Sequence, residues 1–256
     1  MILAIDIGNT NITMGCVDKG KIMFVFTLST NIAKTADEYA IGIQSLLDFH
    51  ALDPKKLDGA IISCVVPPLA NVLRTSLIML FGIEALIVGA GVKTGLNILI
   101  DDPAQLGGDL VASAVGALEN YTPPIIVIDM GTATKMCAID KNGNFIGGAI
   151  MPGLLLSMNA LSEGTSQLPH VPIESPGKLI STSTTDSMKS GAIYGTASMI
   201  DGMIERFEAE LGSTAASIIT GGHAETIQRW CKREIAFDPH LILRGLEIIY
   251  DRNKQR

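Results

Sequence analysis

Residues 5–22, IDIGNTNITMGCVDKGKI, decide the fold because the chain repeats them. Set beside residues 128–145, IDMGTATKMCAIDKNGNF, at a constant offset of 123 residues (129 − 6), Asp6 meets Asp129, Gly8 meets Gly131, Gly20 meets Gly143 and Ile22 meets Phe145. The offset is close to half of the 256 residues, the mark of an internal duplication. Each copy begins as an apolar strand and turns polar at Asp-x-Gly. A core strand that breaks so abruptly enters a turn, where glycine admits close approach to the backbone.

The segments after the two copies agree as well. After the first, the pattern predicts a strand over 21–28, a helix over about 35–50, a strand over 59–66, a helix from about Pro67, a strand over 84–89 and a helix through Asp109 to Tyr121. Thr35 and Glu38 stand at capping-box spacing, which marks the first helix start. After the second come a strand ending at Ile150, helical stretches from Gly153 and over 187–211, a strand over 217–220, a helix from His223, a short strand near Ile235 and a helix from Leu241. Three strands followed by alternating helices and strands imply a mixed sheet covered by helices in each half. The expected fold is therefore α/β, with two duplicated domains, 1–122 and 123–256, a hinge of a few residues at 121–124 and a cleft between the domains.

Composition bounds the function. With 47% hydrophobic and 18% charged residues the chain can bury a large core, as a globular protein does. A net charge of −7 and a pI near 5.1 argue against a general binder of nucleic-acid backbones. Cys16, Cys64, Cys137 and Cys231 lie far apart without a C-x-x-C pair, so they are read as reduced thiols of a cytoplasmic protein, not a zinc cluster. The N-terminus enters a strand without the basic leader of a signal peptide. The most membrane-like stretch, residues 77–92, is broken by Glu84 and three glycines and is shorter than the ~18 apolar residues of a span, so no membrane partner is expected.

A glycine turn between core strands aims N–H groups and hydroxyls at one point, which suits phosphate oxygens. Two copies would grip a polyphosphate from both sides. The carboxylate heading each turn is repelled by phosphate, so it would act through a cation or bound water. The same residues also make an ordinary turn with a self-bonded Asp. SIITGGHAET, residues 217–226, runs a strand through Gly221 and Gly222 into a helix, a layout that lets a base or phosphate pass close. The P-loop and dinucleotide fingerprints are absent. Gly107, Gly108 and Asp109 precede an Ala-rich helix. Asp109 fits a helix N-cap. It equally fits a carboxylate that orients an acceptor hydroxyl and takes its proton during phosphoryl transfer. The four histidines show neither metal nor triad spacing and are read as structural or solvent-facing; the polar loop 175–188 could be mobile or line an acceptor site.

As an ordered set, DIGNT, DPAQLGGD, DMGTAT, GGAIMPGLLLSMNAL, SQLP, TTDSMKSGAIYG, TGG and DPHLILRGLEIIYDRN resemble the type III pantothenate kinases, within the acetate and sugar kinase, heat-shock chaperone and actin superfamily. The resemblance implies duplicated ribonuclease H-like (actin-like ATPase) domains, a homodimer, and transfer of phosphate from ATP to pantothenate in the first step toward coenzyme A. Carried over by position, Asp6, Ile7, Gly8, Asn9, Thr10, Asn11, Ile12 and Thr13 would hold the ATP phosphates, with Mg2+ reaching Asp6 through water, and Thr132 would contact ATP. Asp109 would be the base. Gly107, Gly108, Asp109, Leu110 and Thr184 would line the pantothenate side, and Asp129 would ligate a monovalent cation, K+ or NH4+.

The chain departs from that pattern on the acceptor side. Relatives carry Arg where Leu110 stands, a Tyr shortly upstream where none lies near Ile100, and Thr where Lys135 stands. Loss of a charge-assisted contact to the pantothenate carboxylate costs about 1.5–3 kcal/mol unless it is replaced. Lys135, or a basic group of a dimer partner, is one expected replacement; a solvent-facing Lys135 is the other expectation. A nucleotide-binding regulator, or a phosphatase with water as acceptor, would share the same turns. An ATPase machine or filament subunit would need subdomains for which this chain has little room.

Overall fold

The computed structural model describes residues 1–254. The chain divides into two compact units, one made of residues 1–97, 101–120 and the segment from His240 onward, the other of residues 98–100 and 121–239.

In the first unit, β1 (Ile2–Ile7), β2 (Asn11–Asp18) and β3 (Lys21–Ser29) run antiparallel in succession. Helix α1 (Ala36–Phe49) then leads to β4 (Gly59–Cys64), and α2 (Pro67–Phe81) to β5 (Leu86–Ile87). The sheet order is β3-β2-β1-β4-β5, with β4 parallel to β1 and β5 parallel to β4. Parallel neighbours need a crossover, and the two helices provide it. The expected capping box is present: the Glu38 carboxylate accepts the Thr35 N–H at 2.8 Å, and the Thr35 hydroxyl accepts the Glu38 N–H. Prolines open α2 and Gly82, at φ 66°, closes it, as the asymmetry of helix ends favours. Leu3, Ile5 and Ile7 of β1 pack with Tyr39, Ile43, Leu69 and Leu73 from the two helices, all buried, each contributing about 1.5–3 kcal/mol.

Strand β6 (Asn97–Ile98), which the sequence pattern did not predict, is an edge strand of the second sheet. Helix α3 (Gly108–Asn120) completes the first half of the sequence. The second unit repeats the plan with β7 (Ile125–Met130), β8 (Ala133–Ile139), β9 (Asn144–Pro152), α4 (Leu154–Glu163), α5 (Thr184–Ser190), α6 (Thr196–Leu211), β10 (Ala216–Thr220), α7 (Ala224–Gln228) and β11 (Ala236–Phe237). A π-helical turn, Gly191–Gly195, joins α5 to α6. Read along the second sheet, β9-β8-β7-β10-β11 matches β3-β2-β1-β4-β5 strand for strand, with the same directions. The fold is thus a duplicated α/β, ribonuclease H-like arrangement.

The last helix, α8 (Leu241–Lys254), packs in the first unit, whereas the sequence reading placed residues up to 256 with the second half. Glycines explain the choice. A Cβ on Gly245 would lie 1.8 Å from the Ala112 carbonyl oxygen, and one on Gly116 would lie 2.5 Å from that of Leu241, so α3 and α8 meet backbone to backbone. Gly59 in β4 likewise leaves room for the Tyr250 hydroxyl. Among the described residues no helix is long and apolar enough to cross a membrane.

Candidate active site

The first turn joins β1 to β2. Asp6 stands near the end of β1, opposite Thr13 on β2 and beside Ser63 on β4. Gly8 donates its N–H to the Asn11 carbonyl at 3.0 Å and closes the bend, leaving Asn9 and Thr10 exposed at its tip. The end of β3 pins the turn: the Thr30 hydroxyl donates to the Gly8 carbonyl at 2.7 Å and the Thr30 N–H to the Thr10 carbonyl at 3.0 Å. Behind it, the buried Tyr39 hydroxyl donates to the Asn31 carbonyl and accepts the Asn31 N–H. The result is a rigid loop of amides and hydroxyls headed by a carboxylate. Asp6 also acts on its surroundings, since burial first and the Asp6 charge after it push the Cys64 thiol up.

Asp109 lies in the same unit. It is only 7% exposed, in the first turn of α3, and its Oδ1 accepts the Leu110 N–H at 2.8 Å. The cap is Gly107, whose carbonyl accepts the Val111 N–H, so Asp109 is inside the helix and the N-cap alternative does not hold. A helix N-terminus favours a negative charge there. The two glycines are explained by close packing: a Cβ on Gly107 would lie 2.5 Å from Asp109 Oδ1, and one on Gly108 would lie 3.3 Å from Ser63 Oγ. Leu110 beside them is half-buried.

Ser63 escaped the sequence reading. It is fully buried, and its hydroxyl has no hydrogen-bond partner among the described residues. Cross-strand from Asp6 and packed on Gly108, it joins the ends of β1 and β4 to the start of α3. The available signal was a serine ending the apolar run GAII.

The second unit carries the second turn. Gly131 and Thr132 are exposed at its tip. Gly153, the cap of α4, donates its N–H to the Thr132 carbonyl at 3.1 Å, and any Cβ there would lie 2.2 Å from that oxygen. Gly221, at φ +100°, is pressed on the Met130 peptide, where a Cβ would come within 2.6 Å of backbone. Its role is therefore close packing beneath the turn. Thr184 is exposed in the first turn of α5, after the Ser183 cap.

Asp129, 7% exposed, faces Lys135 across β7 and β8, and Lys135 Nζ lies 2.7 Å from Asp129 Oδ2. The Lys135 side chain is 20% exposed, so it neither projects into solvent nor leaves its ammonium uncommitted for a pantothenate carboxylate. A free monovalent cation at Oδ2 does not fit beside this ammonium.

For a divalent ion the donors are hard oxygens on Asp6, Asn9, Thr10 and Thr13. The described residues contain no group of three or more His, Cys, Asp or Glu able to hold a metal alone. Mg2+ is bound by hard oxygens and keeps several waters, so the oxygens of the first turn would fit it.

Burial raises Cys16 and Cys231 to about 12, Cys231 also through Asp201, which leaves both as inert thiols. His50 stacks on Phe24 with ring centres 4.6 Å apart, and His170 Nδ1 shares a hydrogen bond with Ser162 Oγ, both structural roles.

This geometry can be set beside known proteins. Among solved structures, an activator of 2-hydroxyisocaproyl-CoA dehydratase from Clostridium difficile with bound ADPNP superposes with a TM-score of 0.54 at 14% identity, covering 100% of this chain and 97% of that one. An inorganic polyphosphate/ATP-glucomannokinase from Arthrobacter sp. strain KM gives 0.50 at 14% identity, over 100% and 99%. At such identities the likeness is of fold alone. In sequence, type III pantothenate kinases of Listeria welshimeri and Halalkalibacterium halodurans are each 40% identical, over 99% of this chain and 98% and 100% of their own lengths. The family model of type III pantothenate kinase matches residues 2–206, and with full-length relatives at this identity the chain belongs to the type III pantothenate kinase family.

Proposed function

We propose that this chain phosphorylates pantothenate with ATP, giving 4'-phosphopantothenate and ADP, with Asp109 as the base. The buried position of the Asp109 carboxylate in the first turn of α3 carries the reading, because two glycines and Ser63 set it close to the end of β1. In this reading Asp6, Gly8, Asn9, Thr10 and Thr13 receive phosphate oxygens, and Mg2+ is reached from Asp6 through water. Thr132 contacts the nucleotide. Gly107, Gly108, Leu110 and Thr184 line the acceptor. Asp109 accepts the hydroxyl proton as that oxygen attacks the terminal phosphorus and ADP leaves. Sequence halves 1–122 and 123–256 are the two copies of the duplication, with α8 packed in the first unit.

On the second unit, Ile150 at the end of β9 and Leu155 and Leu156 at the start of α4 are exposed apolar side chains, which supports the homodimer that the family resemblance implies. A homodimer would cover them, and sedimentation of the protein reads its mass directly. Four free cysteines agree with a reducing cytoplasm.

The deciding assay follows ADP release by purified protein with ATP and Mg2+, with and without pantothenate. Release that depends on pantothenate is expected, and Asp109→Asn should lower it about 10²–10⁴-fold while sparing ATP affinity. Equal release without pantothenate would replace the acceptor by water.

A further inference from the structure

The resemblance calls for a monovalent cation at Asp129, and the side chains there already supply a positive charge. We propose that the Lys135 ammonium is a tethered replacement for that cation, so that this chain requires neither K+ nor NH4+ at Asp129.

Asp129 is almost fully covered, and a carboxylate taken out of water needs a charged partner. Lys135 Nζ stands 2.7 Å from Oδ2, the length of a charge-assisted hydrogen bond. Chemically an alkylammonium is ammonium with one N–H replaced by carbon, and it keeps three donors. Tethering gives it a high effective concentration at the carboxylate, which an ion from solution must outcompete. It must also do so beside a like charge. Oδ1 lies 3.7 Å from where a Gly131 Cβ would stand, so the neutralised carboxylate is next to the exposed Gly131 of the turn. Lys135 therefore acts on the turn through Asp129, as a positioning residue.

Register explains how the ammonium reaches this place. Thr13 faces Asp6 seven residues on (13 − 6), whereas Lys135 faces Asp129 six residues on (135 − 129). The second turn is one residue shorter, and a shift of one exchanges the faces of a strand. The residue that the 123-residue offset puts opposite Asp129 is Met136 (13 + 123), which is instead buried opposite Ile128.

The test compares wild type with Lys135→Thr in K+, Na+ and tetramethylammonium at equal ionic strength. Thermal unfolding of the wild type should be the same in all three, while K135T should melt at a higher temperature in K+ than in tetramethylammonium, because an ion bound only by the folded state stabilises it. Turnover, which rests on the kinase reading, should show the same split: unchanged in wild type, and in K135T lower by about tenfold or more when Na+ replaces K+. Melting needs no turnover, so failure of the kinase reading would not blur the result. Should K135T not fold, Tl+ uptake decides. Wild type that binds Tl+, when Asp129→Asn does not, overturns the proposal, as does K+-dependent melting of the wild type or cation-indifferent melting of K135T. Wild type that takes up no Tl+ at Asp129 supports it.

Discussion

The two turns descend from one plan and share one backbone support, the Thr30 amide on the Thr10 carbonyl in the first and the Gly153 amide on the Thr132 carbonyl in the second. They differ in what is added to it. The first adds side chains, the Thr30 hydroxyl on the Gly8 carbonyl with Tyr39 behind. The second adds close-packed backbone at Gly153 and Gly221. Their carboxylates differ too, Asp6 opposed by a hydroxyl and Asp129 by an ammonium. Duplication preserves strand order, which topology enforces, while local supports are free to diverge as long as the bend survives. In the second turn the carboxylate is met by an ammonium of its own chain.

The largest effect should come from the second turn, where backbone is packed most closely. Gly153→Ala places a methyl 2.2 Å from the Thr132 oxygen and 2.5 Å from that of Gly131, and neither atom can move without opening the turn. A loss of about 3 kcal/mol in denaturant unfolding is expected, the upper range for overpacking. Gly8→Ala, whose Cβ would stand 3.1 Å from the Asn11 oxygen, should cost about 1 kcal/mol. Equal losses in the two variants would break the contrast.

Thr30→Val comes next. It removes the hydroxyl that donates to the Gly8 carbonyl and should cost about 1 kcal/mol. The measurement that sharpens the contrast is KM for ATP. Loosening the first turn should raise it a few-fold with kcat little changed, the pattern of weakened ground-state binding. An unaltered KM would mean that Thr30 supports the fold without shaping the phosphate site.

How much of the molecule was legible in its sequence depends on the kind of information each feature uses. The repeat, the Thr35–Glu38 cap, and the strand that ends at Thr220 before Gly221 are local patterns, and they stand as read. Strand β6 spans only Asn97–Ile98, too short to show a period. The destination of α8 was invisible because its apolar residues Leu241, Leu246 and Ile249 suit any core; Gly116 and Gly245, which decide it, are informative only when paired. In the site, Asp6 and Asp129 announce themselves by composition. Lys135 does not, since its partner depends on a turn one residue shorter than its homologue, and a single residue reverses inside and outside. Ser63 is a functional candidate only after β1 and β4 are known to be neighbours.

The smallest effect concerns the hairpins that come after each turn, and it extends the contrast to pH. In the second unit the hairpin is held from within: Asp140 Oδ1 accepts the N–H groups of Asn142 and Asn144. Burial works against that carboxyl, but the hydrogen bonds prevail and hold it below the usual carboxylate range. In the first unit the hairpin turn is held from afar, the Gly20 N–H donating to Glu247 of α8 at 2.8 Å. Burial pushes the Glu247 carboxyl up, with the charges of Asp251 and Asp18 adding to it and the Gly20 and Lys19 amides opposing. Linkage sets the signs. Asp140, lowered, contributes stability that is present above its unfolded-state value and lost as pH falls through its folded one. Glu247, raised, contributes stability that is present below the ordinary Glu value and lost as pH rises through its folded one. Glu247→Gln keeps an oxygen for the Gly20 N–H and removes the charge, so it should be more stable than wild type at neutral pH, by less than about 1 kcal/mol. The gap should close as pH falls toward the ordinary Glu value. Asp140→Asn should behave in reverse, less stable at neutral pH and converging in acid. Urea midpoints across pH resolve both. A Glu247→Gln protein that unfolds earlier than wild type at neutral pH would show that the Gly20 and Lys19 bonds outweigh burial, and the two hairpins would then answer to pH alike.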